Sequence, residues 1–391
     1  MLFSSDSMQY PSLANENILD VLRLIRTPNV GPVTFFHLLR RFGTAAAALD
    51  ALPGLSMRGG RKTPLIACPV EMALKEMEAI ISHGAKIILY GMEEYPKFLH
   101  MVHDAPPLIT VVGHPDIWQN HDVIAMVGAR NASANGCQFG QRLARELGES
   151  GLTVASGLAR GIDTFVHKGS LPTGTVAVIA GGIDNIYPPE NASLYKQIQE
   201  IGAIISEQPF GSLPYSGSFP GRNRIIAGMS LGTVVVEAAI KSGSLITARF
   251  AMENNREVFA VPGSPLDPRS KGGNQLIRQG AIIVESADDI VQGIAPLRNT
   301  TLDSILGENP PTAYTPDPST QQASEADLEE TRRAILEKLG VTSVSVDELI
   351  EQCETSAPVV LTILLELELA GRLKRSSGNK VYLTQIMEEV A

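Results

Sequence analysis

The chain has little that could cross-link it or hold a metal. Its three cysteines, Cys68, Cys137 and Cys353, are far apart and odd in number, which excludes a disulfide framework and a paired-thiol zinc site. Its seven histidines form no His-x-x-x-His pair, so the helical metal motif is missing as well, and neither a metal nor any other cofactor is expected. No stretch approaches the roughly 18–20 uninterrupted apolar residues of a membrane-spanning helix. The opening residues, Met1 to Asn17, have neither the basic nor the apolar region of a secretory signal. Together these absences point to a reducing cytoplasm with no membrane partner. Positive charge is also short, with 32 Lys and Arg against 42 Asp and Glu and a net charge of −10. That excludes a broad basic surface but leaves room for a local basic groove. Aromatic residues make up 5% with a single Trp, which argues against long rows of base-stacking rings.

The residues present divide by composition. At 391 residues the chain exceeds one ordinary core. Residues 1–84 read as helical. Ile18, Val21, Leu22, Leu24 and Ile25 are spaced for one helix face, the turn Asn29-Val-Gly-Pro32 comes next, and helices are expected over Phe35–Phe42 and Thr44–Leu52. Helix, Gly-Pro turn, helix is the outline of a helix-hairpin-helix or SAM-like module. Its turn amides can reach DNA phosphates, though a plain packing domain fits equally well. Residues 85–295 alternate short, continuously apolar runs with helical segments, the pattern of a doubly wound, mostly parallel α/β sheet of Rossmann type.

Residues 296–326 are rich in Pro, Ser and Thr and read as a linker, implying few contacts between the modules on its two sides. Residues 327–391 read as three helices and a hairpin, hence a winged helix. Its third helix, expected over Ala357–Ala370, carries Glu366 and Glu368 as its exposed charges. Acids there would repel phosphate, so a protein contact or a regulatory role is expected in place of duplex reading.

Four turns carry the candidate chemistry. The run Val123–Val127 enters Gly128-Ala-Arg130-Asn-Ala-Ser133. Arg130 stands where a dinucleotide fingerprint needs glycine, which disfavours NAD and directs a guanidinium fork at an external phosphate. The next run ends in Ser156-Gly157-Leu-Ala-Arg160-Gly161-Ile-Asp163, with His167-Lys168 as a second basic contact. Asp163 is read there as a helix-terminal charge. The segment Phe219-Pro-Gly-Arg222-Asn223-Arg224 abuts Ile225, Ile226 and Ala227 and reads as the first turn of a helix, where free N–H groups and two guanidinium forks suit a phosphate. For an isolated Arg-x-Arg, pairing with carboxylates is the commoner role; the company of the other turns favours an anion rim. Lys241-Ser242-Gly-Ser244 opens a further helix in the outline of a phosphate cradle. No Walker lysine motif occurs, so nucleotide hydrolysis is not expected.

With these motifs in view, residues 95–290 resemble the DNA-processing protein A (DprA, also called Smf) family. The matching runs are Val127–Ser133, Ser156–Asp163, Tyr187-Pro-Pro-Glu-Asn191, Phe219–Gly228, Ser242–Ala248 and Val258–Ser264, in the same order. The resemblance implies an extended Rossmann fold in a homodimer that binds and protects single-stranded DNA, loads the RecA recombinase during natural transformation, and catalyses no reaction. Carried onto this sequence, it implies DNA contacts from Arg130, Arg160, Arg222 and Arg224, with Lys168 less securely matched.

The competing reading is an enzyme. Leu231-Gly-Thr233 followed by Glu237 echoes, at altered spacing and without the preceding Pro-Gly-Gly, the signature of LOG-type nucleotide phosphoribohydrolases. Asp163, Glu207 and Glu237 would then line a pocket for a base or ribose.

Overall fold

The computed structural model describes residues 10–298, 325–353, 355–376 and 379–384. Its helices are α1 (Ile18–Ile25), α2 (Pro32–Phe42), α3 (Ala45–Arg58), α4 (Val70–Ser82), α5 (Ile117–Asn120), α6 (Ala134–Glu149), α7 (Ile162–Ser170), α8 (Ala192–Ile201), α9 (Ser218–Gly228), α10 (Gly243–Glu253), α11 (Lys271–Arg278), α12 (Ala287–Arg298), α13 (Glu325–Lys338), α14 (Val346–Gln352) and α15 (Ala357–Leu369). Its strands are β1 (Lys86–Leu89), β2 (Leu108–Gly113), β3 (Val123–Val127), β4 (Thr153–Ser156), β5 (Thr175–Val178), β6 (Ala203–Ser206), β7 (Gly232–Val235), β8 (Glu257–Ala260), β9 (Ile282–Ile283), β10 (Val344–Ser345), β11 (Leu373–Ser376) and β12 (Lys380–Leu383). The chain divides into two compact units, residues 1–14 with 75–310 and residues 15–74 with 311–391.

The first unit is built on a nine-stranded sheet ordered β1-β2-β6-β5-β4-β3-β7-β8-β9. β6 through β9 in that order run parallel, and only β1 and β2 pair antiparallel. β3, β4, β5 and β7 are buried at every residue, so helices must cover both sheet faces. Leu143, Leu147, Ile162, Val166, Ile290 and Ile294 pack over β3, β4 and β7. Ile80, Leu194, Tyr195 and Ile198 pack with β2, β5 and β6. The chain winds outward from β3 to β6 and returns to β7 on the other side of β3. In such a sheet the crevice beyond the C-terminal strand ends is where ligands bind.

The second unit joins α1–α3 to a winged helix made of α13–α15 and the sheet β10-β12-β11. α3 runs through Pro53 to Arg58, further than the Pro-Gly pair suggests. The winged-helix core gathers Ile335, Leu349, Val360, Ile363, Leu364, Leu367 and Val381. The segment read as a linker, 296–326, lies mostly outside the described residues; its first three residues close α12. Two expectations are corrected in this unit. α15 packs against α3 and α2, so the tail module is not a loosely tethered one. Glu366 is also not an exposed acid. It is buried between Arg58 and Arg332, while Glu368 pairs with Arg375 at 3.1 Å and is largely shielded.

Candidate nucleic-acid interface

The turns after β3, β4 and β5 meet α9 around a pocket of about 200 Å³ lined by Arg130, Gly157, Arg160, Gly181, Tyr187, Phe219 and Arg222, among others. Arg130 is exposed and lays its guanidinium over the Phe219 ring, 4.9 Å from the centroid. Tyr187 leans toward the same ring at 6.0 Å between centroids, and is itself 45% exposed. Arg160 projects from the opposite turn and pairs with Glu190 at 2.7 Å, both side chains being well exposed. An exposed pair of this kind contributes little, so a phosphate can take the arginine from it.

Arg222 forms the floor. It is buried and its Nη1 donates to the Val178 carbonyl at 2.9 Å. Its Nε has no hydrogen-bond partner among the described residues. Burial lowers its pKa to about 10, nearby Asp163 acts to raise it, and Arg130 lowers it further, leaving it charged at neutral pH. Gly157 makes room for it, because a Cβ there would stand 1.7 Å from Arg222 Nη1. Asp163, also buried, has its pKa raised by burial, against the pull of Arg222. It accepts from the Ala159 amide at 3.3 Å, holding the turn between β4 and α7.

Several residues singled out from sequence build these turns without lining the pocket. Ser133 caps α6 through the Gly136 amide, and its hydroxyl donates to Glu237 at 2.5 Å. Ser156 is buried with its hydroxyl on the Met126 carbonyl. Gly128 packs against Ile162, and Gly161, at φ +74°, sits where a Cβ would strike the Ala129 carbonyl. Lys241, Ser242 and Ser244 stand apart from the pocket at the start of α10, where Ser242 caps the helix and bonds Ser244. Asn223 reaches the Gly243 carbonyl at 3.3 Å and so ties α9 to α10.

Three placements overturn the sequence reading. Arg222 and Arg224 do not sit in the first turn of their helix, because α9 begins at Ser218. Pro220 is tolerated early in a helix, where the N–H it lacks would go unpaired anyway. Arg224 is not on the rim. It is buried between Glu207 and Asp104, and although burial acts to lower its pKa, those carboxylates raise it overall. His167 adds no basic contact, because burial lowers its pKa to about 3, with Arg222 adding to the effect. Its Nδ1 lies 2.9 Å from the Thr175 hydroxyl, which itself donates to Val154. Lys168 is exposed but rests over Phe165, away from the pocket. Phe219 is the pocket residue that sequence reasoning passed over; its position directly before Pro-Gly at the head of the arginine segment was the available signal.

Buried and exposed guanidinium groups beside aromatic faces line a pocket at the strand ends of a doubly wound, Rossmann-type sheet. The chain belongs to the DNA recombination-mediator protein A family, whose model matches residues 86–295. A DprA-like N-terminal HHH domain matches residues 15–79 and a DprA winged helix domain residues 318–379. The Escherichia coli (strain K12) protein Smf is 38% identical over 294 residues, covering 74% of this chain and 75% of that protein. The X-ray structure of DNA processing protein A from Streptococcus pneumoniae superposes with a TM-score of 0.60 at 32% identity, covering 71% of this chain and 98% of that one. A Helicobacter pylori DNA processing protein A, described for its single-stranded DNA binding mode, gives a TM-score of 0.50 at 27% identity, covering 54% and 96%.

Proposed function

We propose that this chain binds single-stranded DNA at the strand-end pocket and serves DNA processing during transformation. The observation that carries the reading is the union of Arg130, Arg160 and Arg222 with the rings of Phe219 and Tyr187 in one pocket. Phosphate is taken by the exposed arginines through charge-assisted bonds, with Arg222 holding the floor positive. An unstacked base lies against Phe219 or Tyr187, a contact available to any base but not to one stacked inside a duplex. The Helicobacter relative's described binding of single-stranded DNA supports the same polymer here. Fluorescence anisotropy with labelled oligonucleotides tests it: the chain should prefer single strands to duplex, and Phe219→Ala should weaken the single strand by about tenfold, the lower end of the stacking range. Equal affinity for duplex and single strand, with no effect at Phe219, refutes the site.

We also propose that the protein is a cytoplasmic homodimer that hands its strand to the RecA recombinase, as the family resemblance implies, and that it is a binder with no reaction of its own. The three carboxylates that an enzyme would need are each committed elsewhere. Glu237 accepts from the Ser133 amide and hydroxyl, Glu207 pairs with Arg224, and Asp163 is buried against the turn it holds. Release of free base from nucleoside monophosphates by the purified protein would contradict this reading.

A further inference from the structure

The third helix of a winged helix is ordinarily the element that enters the DNA major groove. In this chain, α15 carries no Lys, Arg, Asn or Gln, the side chains that read base edges. It is apolar nearly all round, which in a helix means burial on more than one side. The buried residues fall on two stripes. Val359, Val360, Ile363, Leu364 and Leu367 belong to the winged helix's own core. Thr362, Leu365, Glu366 and Leu369 are also buried, lie outside that core, and repeat at the spacing of a second helix face.

The second face is covered by α2 and α3. Arg58 Nε donates to Glu366 Oε1 at 2.7 Å across the seam, while Arg332 of the winged helix takes Oε2 at 2.5 Å. Glu366 also acts on Arg41, whose pKa burial lowers and this carboxylate raises. Asn29, in the turn between α1 and α2, donates to the Leu369 carbonyl at 3.3 Å, and Arg372 reaches the Gly59 carbonyl at 3.4 Å. Closest of all is Gly59. A Cβ there would lie 1.9 Å from the Glu366 carbonyl oxygen and 2.8 Å from Ala370 Cβ. Gly59 has φ −68°, a conformation open to any residue, so only the approach of α15 requires glycine.

We infer that the third helix of this winged helix is a protein-docking face whose partner is the chain's own N-terminal helical module, and that it does not read duplex DNA. The C-terminal module completes the helical one, supplying the cover for the outer face of α3 and engaging the hairpin turn at Asn29.

Hydrogen–deuterium exchange on the full-length protein tests this with two variants and a control. Gly59→Leu wedges the seam without straining its own backbone. Arg58→Glu, at a half-exposed side chain, sets a carboxylate against Glu366 and leaves both cores untouched. Gly54→Ala lies on the same helix but meets only the end of Arg58 at 3.8 Å. Both seam variants should exchange about tenfold faster over residues 45–60 and 357–372, with the β3–β8 peptides and Gly54→Ala unchanged. Duplex affinity of the opened variants should stay within about twofold of the parent. Unaltered exchange in both seam variants would overturn the inference. So would a tenfold or greater gain in duplex affinity on opening, which would make α15 a masked reader.

Discussion

At the scale of single residues, the arginines drawn from two of the sequence motifs have divided their labour. Arg130 is exposed on an aromatic face, Arg222 is a buried floor, and Arg224 is a buried ion-pair partner. Arg130→Ala should weaken single-strand binding by about tenfold, one charge-assisted bond's worth, at an unchanged melting temperature. Arg224→Ala should instead destabilise, because it removes a buried guanidinium that pairs with both Glu207 and Asp104. Breaking such a pair costs roughly 3–5 kcal/mol, and urea unfolding would read it directly. Local sequence could not tell the two apart. Arg130 announces itself by standing in a glycine-bearing turn, whereas the partners of Arg224, Glu207 after β6 and Asp104 before β2, lie on other elements that only the fold brings beside α9.

His167 gives a pH prediction at the same scale. Its pKa is about 3 in the fold against about 6.5 when unfolded. The unfolded chain therefore binds the extra proton between those values, and stability present above pH 6.5 is lost as pH falls, by about 1.4 kcal/mol per pH unit. His100, at about 4 through burial, adds the same sign, while Asp163, raised by burial, opposes it at lower pH. Urea unfolding between pH 7 and 5 should show a shallower loss in His167→Asn, which can keep a donor to Thr175. A parallel pH slope in the two proteins would show that His167 is not held neutral.

At the scale of elements, the sheet was legible because its strands are continuously apolar and sit between helical segments, and glycine-rich turns marked its C-terminal edge. Helix starts were less so. Pro220 and Gly221 look like breakers, yet they fall in the first turn of α9, where a missing donor costs little. Because α9 starts early, its arginines turn inward instead of sitting at a free N-terminus. The second stripe of α15 was in the sequence too, as Thr362, Leu365, Glu366 and Leu369. A carboxylate on a helix reads as solvent-facing until a partner such as Arg58, from more than three hundred residues away, is placed beside it. The strand-end turn after β4 gives a prediction of its own. Gly157→Ala would push the Arg222 guanidinium out of its seat on Val178. Calorimetric titration should then show weaker single-strand binding together with a lowered melting temperature, whereas an unchanged affinity would remove Arg222 from the site.

At the scale of the whole molecule, a net charge of −10 supplies no general positive field, so the proposed binding rests on a local basic site, for which the pocket is the candidate. Among the described residues that line it, only Arg130 and Arg160 present exposed guanidinium groups, with Arg222 behind them. Each phosphate neutralised on a single strand contributes about −0.7 to the slope of log affinity against log salt. Two or three contacts on one protomer therefore predict a slope between about −1.4 and −2, roughly doubled where a dimer holds one strand in both pockets. Because Phe219 and Tyr187 offer faces and no base-edge code, homopolymers and mixed strands of equal length should bind within a few-fold of one another. Arg130→Ala should flatten the slope by about one contact, or roughly 0.7, while Phe219→Ala should weaken binding and leave the slope where it was. The pairing of those two variants separates phosphate from base. If both flatten the slope, Phe219 acts only by positioning Arg130; if neither does, the strand lies elsewhere on the protein.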